Sequence, residues 1–485
     1  MTTVREVRAY VRARGPARTS VLDRYVTVFA LVMAIVVFGQ PLSGVFAGLA
    51  GPVDPARMGA GVALLALALA GFLGAARSAG PVLLPGPDAS WLLPSPLNRR
   101  HLLGRTARLL GLVAVLAGLL LGAGLLAVLG APDQLVWRVL GALVLGVSAT
   151  VGGMALAALG QAAQSWQVWL TGTMAALLVL AAVAVTGQLR TVLAIAASAP
   201  GPAVAAAVSA AAVVSGLLAR RAWASLDRIP TRTLVTASTR AGHVASAAVS
   251  LDPGALTWIA EDNHWRARKL TSRRWPSLPA PFALAWHDWR RLGRRPGRLA
   301  AIAATAALPA VLAQAGGSPV ALGVAVLAGA LAVASMSTSG ARRDADNPAL
   351  ARLIGVGRRP ALAARAALPA LLGGAWAALA LTGLSGELAL FGPMAAPALA
   401  AAALRMAGRA PIDHSMPVID SPGGAIPTGP LMWAATGPDL ALLGCLPTAM
   451  ALLSQPASPA PLLVAQAVMS TLVLVGYVWR GGRTK

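Results

Sequence analysis

The feature that most constrains this chain is the recurrence of apolar runs long enough to cross a bilayer, separated by short arginine-rich segments. Residues 105–130 and 136–163 are near-continuous Leu, Val, Ala and Gly. A helix rises about 1.5 Å per residue and the hydrocarbon core is about 30 Å thick, so roughly 20 such residues span it. Further runs cover 25–40, 58–77, 168–187, 191–219, 299–315, 319–340, 362–384, 388–407, 440–453 and 461–479. Across all 485 residues, 57% are hydrophobic, and the mean hydropathy of +0.70 is too high for a soluble globule. Backbone polar groups in lipid must be satisfied within the element, so the expectation is an all-α polytopic membrane protein of about twelve transmembrane helices.

The formal net charge of +24 would otherwise suggest nucleic acid. The basic residues, however, sit between apolar runs, and no aromatic-plus-basic module accompanies them. With twelve spans both termini lie on one side. The alternate segments then hold 37 of the 40 Lys and Arg residues, leaving Arg57, Arg138 and Arg190 for the other side. That asymmetry assigns the basic side, with the N and C termini, to the cytoplasm of a multi-pass plasma-membrane protein. One cysteine, Cys445, excludes an intrachain disulfide and an all-Cys metal site. The Arg-rich N-terminus lacks a short apolar region with a clear cleavage site, so it reads as a cytoplasmic lead-in and not a removed signal.

The chain also reads as two related halves. The stretch LLPSPLNRRHLLGRTARLL at 92–110 is echoed by NPALARLIGVGRRPALAARAALPALL at 347–372. Arg99 and Arg100 match Arg358 and Arg359 at a spacing of 259, while Leu93 and Arg105 match Leu353 and Arg365 at 260. Each half opens on an amphipathic lead helix. In the first, Val4, Val7 and Val11 recur at helical spacing between arginines. In the second, residues 282–299 carry Trp286, Trp289 and Arg290. The boundaries expected are a first transmembrane half at 1–219, a basic cytoplasmic linker at 220–281, and a second half at 282–485. Each half comprises a lead helix and six spans.

Chemistry of its own is hard to find in the chain. Its only lysines, Lys269 and Lys485, sit in no GxxxxGK[ST] loop, so it is not an ATPase of that kind. LSGE at 384–387 falls in an outer turn and reads as coincidence. All sixteen acids lie in loops or at span ends, which leaves no midspan carboxylate for ion coupling. Asp88, Asp344 and Asp346 stand beside basic clusters and balance them, and the linker residues His243 and His264 read as solvated. The one enzyme-like constellation is Asp413, His414 and Asp420 in the Pro/Gly-rich stretch 411–430. Those three could bind a metal or act as acid and base, but a stiffened, solvated loop explains them as well. The reading carries no catalytic residue, no metal and no cofactor in the chain. Trp137, Trp166, Trp169 and Trp376 are expected as interface anchors. The two Arg-Arg turns read either as inner-side charge against lipid phosphates or as docking points for a cytoplasmic partner.

LLPSPLNRRHLLGR, at 92–105, resembles the coupling loop LLSxPxSRRxxLxGR of stand-alone permease subunits of ABC exporters, with Asn98 where Ser is common. The second copy, at 352–365, has Gly355 and Gly357 in place of the prolines. The Pro/Gly loop at 411–430 is similar to permease-like proteins of high-GC actinobacteria. The resemblance implies ATPase docking through Leu97, Asn98, Arg99, Arg100, His101, Arg352, Arg358 and Arg359. It also implies two ABC ATPase subunits as partners, which would bring the ATP and magnesium. With both halves in one chain, a homodimer is an alternative assembly. The implied activity is alternating-access export of an amphipathic or apolar substrate. The alternatives are a membrane enzyme built on Asp413, His414 and Asp420, or a non-transporting scaffold.

Overall fold

The computed structural model describes residues 55–84, 89, 92–93, 99–130, 134–239, 276–353, 355–410, 412–413, 415–421 and 424–481. The expected N-terminal amphipathic helix with Val4, Val7 and Val11 and the expected span at 25–40 lie outside these residues, as does most of the linker. Apart from a hairpin of β1 (Val418–Ser421) and β2 (Gly424–Pro427), the described structure is helical. The chain divides into two compact units, residues 1–242 with 420–425, and residues 243–419 with 426–485.

The first unit contains α1 (Pro55–Ala79), α2 (Arg99–Leu129), α3 (Leu135–Ala162), α4 (Gln164–Val185), α5 (Arg190–Ala197) and α6 (Gly201–Ser225). Helix α3 is its centre and packs most extensively on α2 and α6. The packing inverts that of a soluble protein. On α2 the buried residues include Ala114, Gly118 and Gly122, whereas Leu112, Leu116 and Leu120 are exposed, Leu120 at 76%. Lipid tails are as apolar as leucine, so spans gain little by hiding it and associate through close backbone contact at small residues. A Cβ on Gly122 would lie 2.6 Å from Ala142 O, and one on Gly146 would overlap Gly118 O and Gly122 N. Thr150 Oγ1 donates to Ala114 O across the same seam (2.7 Å).

The second unit contains α7 (Ala280–Gly293), α8 (Pro296–Thr305), α9 (Leu308–Gln314), α10 (Pro319–Ser335), α11 (Ser339–Asp346), α12 (Pro348–Leu353), α13 (Arg358–Thr382), α14 (Phe391–Ala407), α15 (Thr428–Ala435), α16 (Pro438–Gly444), α17 (Leu446–Ser454) and α18 (Ala460–Gly481). Here α14 is the centre, and its main partners are α13 and α18. Gly392 supplies the close approach, since a Cβ there would overlap the backbone of Ala378 on α13. Phe391, Val326, Ala380, Leu381 and Leu399 form the buried core beside it.

Eight helices among the described residues are long and apolar enough to cross a membrane, and a ninth if α10 and α11, bent by 59°, form one span. The protein is therefore polytopic, with eight or nine such helices among the described residues against the twelve spans expected from sequence. The differences arise where backbone chemistry interrupts a run. The run at 191–219 divides into α5 and α6 at Pro200, because proline lacks a donor and disfavours helix before it. The expected lead helix at 282–299 ends instead at Gly293, ahead of Pro296. The run at 388–407 forms a 17-residue helix, α14. The run at 440–453 is broken between α16 and α17. There Gln466 of α18, fully buried, inserts its amide into the helical ladder. Its Nε2 donates to Gly444 O (2.6 Å), and its Oε1 accepts from Thr448 N (3.1 Å) and Oγ1 (2.8 Å).

Two further expectations change. Residues 226–239, expected as linker, belong to the first unit, with Ile229 and Leu234 fully buried and Ser238 Oγ accepting from Leu84 N (3.1 Å). Trp376, expected at an interface, is 4% exposed and donates to Thr305 Oγ1 (3.0 Å), its ring lying over Gly329. Trp137 and Trp169 are 71% and 68% exposed.

Candidate functional site at the basic helix ends

Both Arg-Arg pairs expected in turns open a helix instead: Arg99 and Arg100 begin α2, and Arg358 and Arg359 begin α13. In the first unit both members of the pair are engaged by the chain, Arg99 partly buried and Arg100 exposed. Arg99 donates from Nη1 to Ile229 O (3.2 Å) and from Nη2 to Thr231 Oγ1 (2.9 Å). Arg100 forms an ion pair with Asp227, and its backbone N donates to Asp227 Oδ1 (3.2 Å). A carboxylate at the exposed first-turn N–H groups caps α2 and offsets its dipole. His101, next in the helix, is exposed. Leu97 and Asn98 lie outside the described residues.

The second unit places a different device at the corresponding position. Arg365 on α13 is 6% exposed and bridges two carboxylates. Nη1 donates to Asp288 Oδ1 (2.7 Å) and Nε to Asp344 Oδ2 (2.9 Å), while Nη2 reaches Asp344 Oδ1 (3.3 Å). Asp288 belongs to the amphipathic helix α7 and is buried with Leu284 and Leu292, one helical turn to either side. The opposite stripe of Phe282, Trp286 and Trp289 is exposed, as is Arg290. This spacing suits a helix lying in the membrane interface with its aromatic face toward lipid. Gly340 on α11 permits the cluster, because a Cβ there would overlap both Arg365 Nη1 and Asp288 Oδ1. Three elements thus meet at one buried guanidinium: the lead helix, the segment before the Arg-Arg pair, and the first turns of α13.

The sequence comparison of Arg105 with Arg365 does not extend to environment, since Arg105 is exposed. Asp344 does balance a basic group, as expected, and that group is Arg365. The role of Asp288 was not legible, because a lone acid on an amphipathic helix gives no sign of its distant partner. Arg358 and Arg359 are exposed at the start of α13; Arg352 lies within α12, and its side chain is outside the described residues.

A cavity of about 1610 Å³ opens within the second unit beside this cluster, where α13 begins and α14 and α18 end. Arg358, Arg365, Arg405 and Arg480 line it together with one acid, Asp344. Arg405 also pairs with Asp439 (2.9 Å).

The loop after α14 is organised by Arg409, which donates to Thr436 O (2.7 Å) and Ala434 O (3.0 Å) and lies over the Trp433 ring. Asp413 is exposed and accepts from Ser415 N (2.9 Å) and Oγ (2.6 Å). His414 lies outside the described residues, as does the side chain of Asp420, so the three-residue constellation is not assembled among them. No group of three His, Cys, Asp or Glu able to hold a metal occurs among the described residues.

Long apolar helices with small-residue seams and leucine outside define an integral membrane protein of the polytopic helical class. Within it, the chain belongs to the family of unknown function DUF6297, whose profile matches residues 54–417. No curated protein and no solved structure matches the chain.

Proposed function

We propose that this chain is the transmembrane permease subunit of an ATP-binding-cassette exporter, driven by two separate ATPase subunits that bring ATP and magnesium. On this reading it has twelve spans in two diverged, pseudo-symmetric halves, with both termini in the cytoplasm. The observation that carries it is the arrangement at the basic helix ends. In each unit an Arg-Arg pair opens a span, and in the second unit Arg365 ties that span to the amphipathic lead helix and to the preceding segment. A force applied at this end is thereby delivered to a rigid body instead of a loose loop. Like packing in the two units supports the duplication: α3 sits between α2 and α6 as α14 sits between α13 and α18. Gly146 and Gly392 permit the closest approach at corresponding helices. Few charges face the spans, so the cargo is amphipathic or apolar, and alternating access moves it across the membrane.

Docking falls on the side chains that the fold leaves exposed, above all His101 and Arg359. Arg99 and Arg100 tie the start of α2 to the segment that follows α6. The test is affinity purification of the detergent-solubilised protein from its native membrane, followed by an ATPase assay, with wild type and with His101→Glu and Arg359→Glu. The expected result is a co-purifying ATPase that the two substitutions release without lowering thermal stability. Absence of an ATPase, or retention of it by the doubly substituted protein, overturns the proposal.

A further inference from the structure

The cavity in the second unit has the two-part chemistry of an amphiphile site. Its basic part is built from three helix ends. Arg358 is the first residue of α13, Arg405 lies in the last turn of α14, and Arg480 in the last turn of α18. Its apolar part runs along the same helices and α16, through Leu362, Leu404, Leu443, Met469 and Val473. Arg365 pairs with Asp288 and Asp344, and Arg405 with Asp439, and four arginines line the cavity against one acid, Asp344. The volume of about 1610 Å³ exceeds the roughly 300–1,000 Å³ typical of small-molecule pockets. Gly476, on the wall, leaves further room, since a Cβ there would meet nothing within 4 Å.

A free inorganic anion would use the arginines and gain nothing from the apolar wall, and a neutral lipid would do the reverse. One phosphate-bearing amphiphile uses both. The guanidinium fork matches phosphate oxygens, and basic pockets between spans on the basic side of a membrane favour anionic headgroups. We infer that the cavity binds one anionic phospholipid from the leaflet that meets the basic helix ends. Arg358 and Arg480 hold its phosphate, and the wall from Leu362 to Met469 holds its acyl chains. This site lies within a single unit and does not depend on the permease reading.

The experiment is native mass spectrometry of the full chain in detergent, titrated separately with dioleoyl phosphatidylglycerol, dioleoyl phosphatidylcholine and inorganic phosphate. Phosphatidylglycerol is expected to bind as one tightly held copy, well ahead of phosphatidylcholine, and phosphate is expected not to displace it. Arg358→Gln and Arg480→Gln should each weaken that binding about fivefold, the effect of one basic group near an anionic headgroup. Gly476→Phe alters no charge and fills the cavity, so it should also reduce binding, while Arg190→Gln, which does not line the cavity, should leave it unchanged. The inference is overturned if the two lipids bind equally or if phosphate competes as well as the lipid. It is also overturned if Gly476→Phe and the two arginine variants bind as wild type, or if Arg190→Gln lowers binding equally.

Discussion

Removing Arg365 is the most informative single perturbation of this fold. In Arg365→Met the alkyl stem is retained and the guanidinium is lost. Asp288, with a side chain 3% exposed, then stays buried without its shortest ion pair. Asp344, 27% exposed, can turn to water. Breaking a buried pair from one side costs about 3–5 kcal/mol because the partner charge stays buried. Asp288→Asn leaves Arg365 paired with Asp344, and it should cost only about 1.5–3 kcal/mol, the worth of a charged hydrogen bond. Asp344→Asn should cost least. Unfolding by dodecyl sulfate in mixed micelles, followed by tryptophan fluorescence, gives these differences directly. Gly340→Ala completes the series: its Cβ would displace the same atoms, so combined with Arg365→Met it should add little to either change alone. An Arg365→Met protein within about 1 kcal/mol of wild type would refute the claim that the cluster is a buried, charge-compensated fastening, given the 3–5 kcal/mol expected for a broken buried pair. So would equal losses for Asp288→Asn and Asp344→Asn.

Other sites give simpler tests. Gly146→Leu should lower stability sharply by forcing α2 from α3, whereas Gly172→Leu, with nothing within 4 Å of its Cβ, should be neutral in the same unfolding assay. Gln466→Leu removes the bridge across the α16–α17 break and should cost about 1–3 kcal/mol for each of Gly444 O and Thr448 N that finds no new partner. A Gln466→Leu protein as stable as wild type would mean that the ladder closes without the amide. Cys445 is 1% exposed, so a maleimide should leave it unmodified in intact membranes and label it after denaturation in dodecyl sulfate.

The spans were legible because each is a long run whose composition alone demands lipid. Their interruptions were less so. Pro200 and Pro296 are visible punctuation, yet the break after Gly444 depends on Gln466, a polar residue 22 positions later that reads locally as one tolerated amide in an apolar helix. The seam of α2 was also open to reading, since Gly118 and Gly122 stand at the four-residue spacing that lets membrane helices meet. At the basic ends, periodicity located the arginines but not their partners. Asp227 and Asp288 lie 127 and 77 residues from the arginines they meet, and charge patterning carries no information at that range.

If the two units are diverged copies, as proposed, what differs between them is physically specific. The small-residue contact at the central helix persists, because any side chain added at Gly146 or Gly392 strikes backbone that cannot yield. The fastening of the basic end does not persist. In the first unit Arg99 and Arg100 hold the segment that follows α6, with Asp227 partly exposed at the helix start. In the second, Arg365 reaches back to the amphipathic helix ahead of the spans and is shielded from water. An exposed ion pair is screened and contributes little, whereas a buried bridge is rigid and specific in direction. Salt should therefore loosen the first fastening and spare the second. Hydrogen exchange of α2 and α13 at low and high ionic strength tests this: faster exchange confined to the first turns of α2 supports it, and equal acceleration of both helices refutes it.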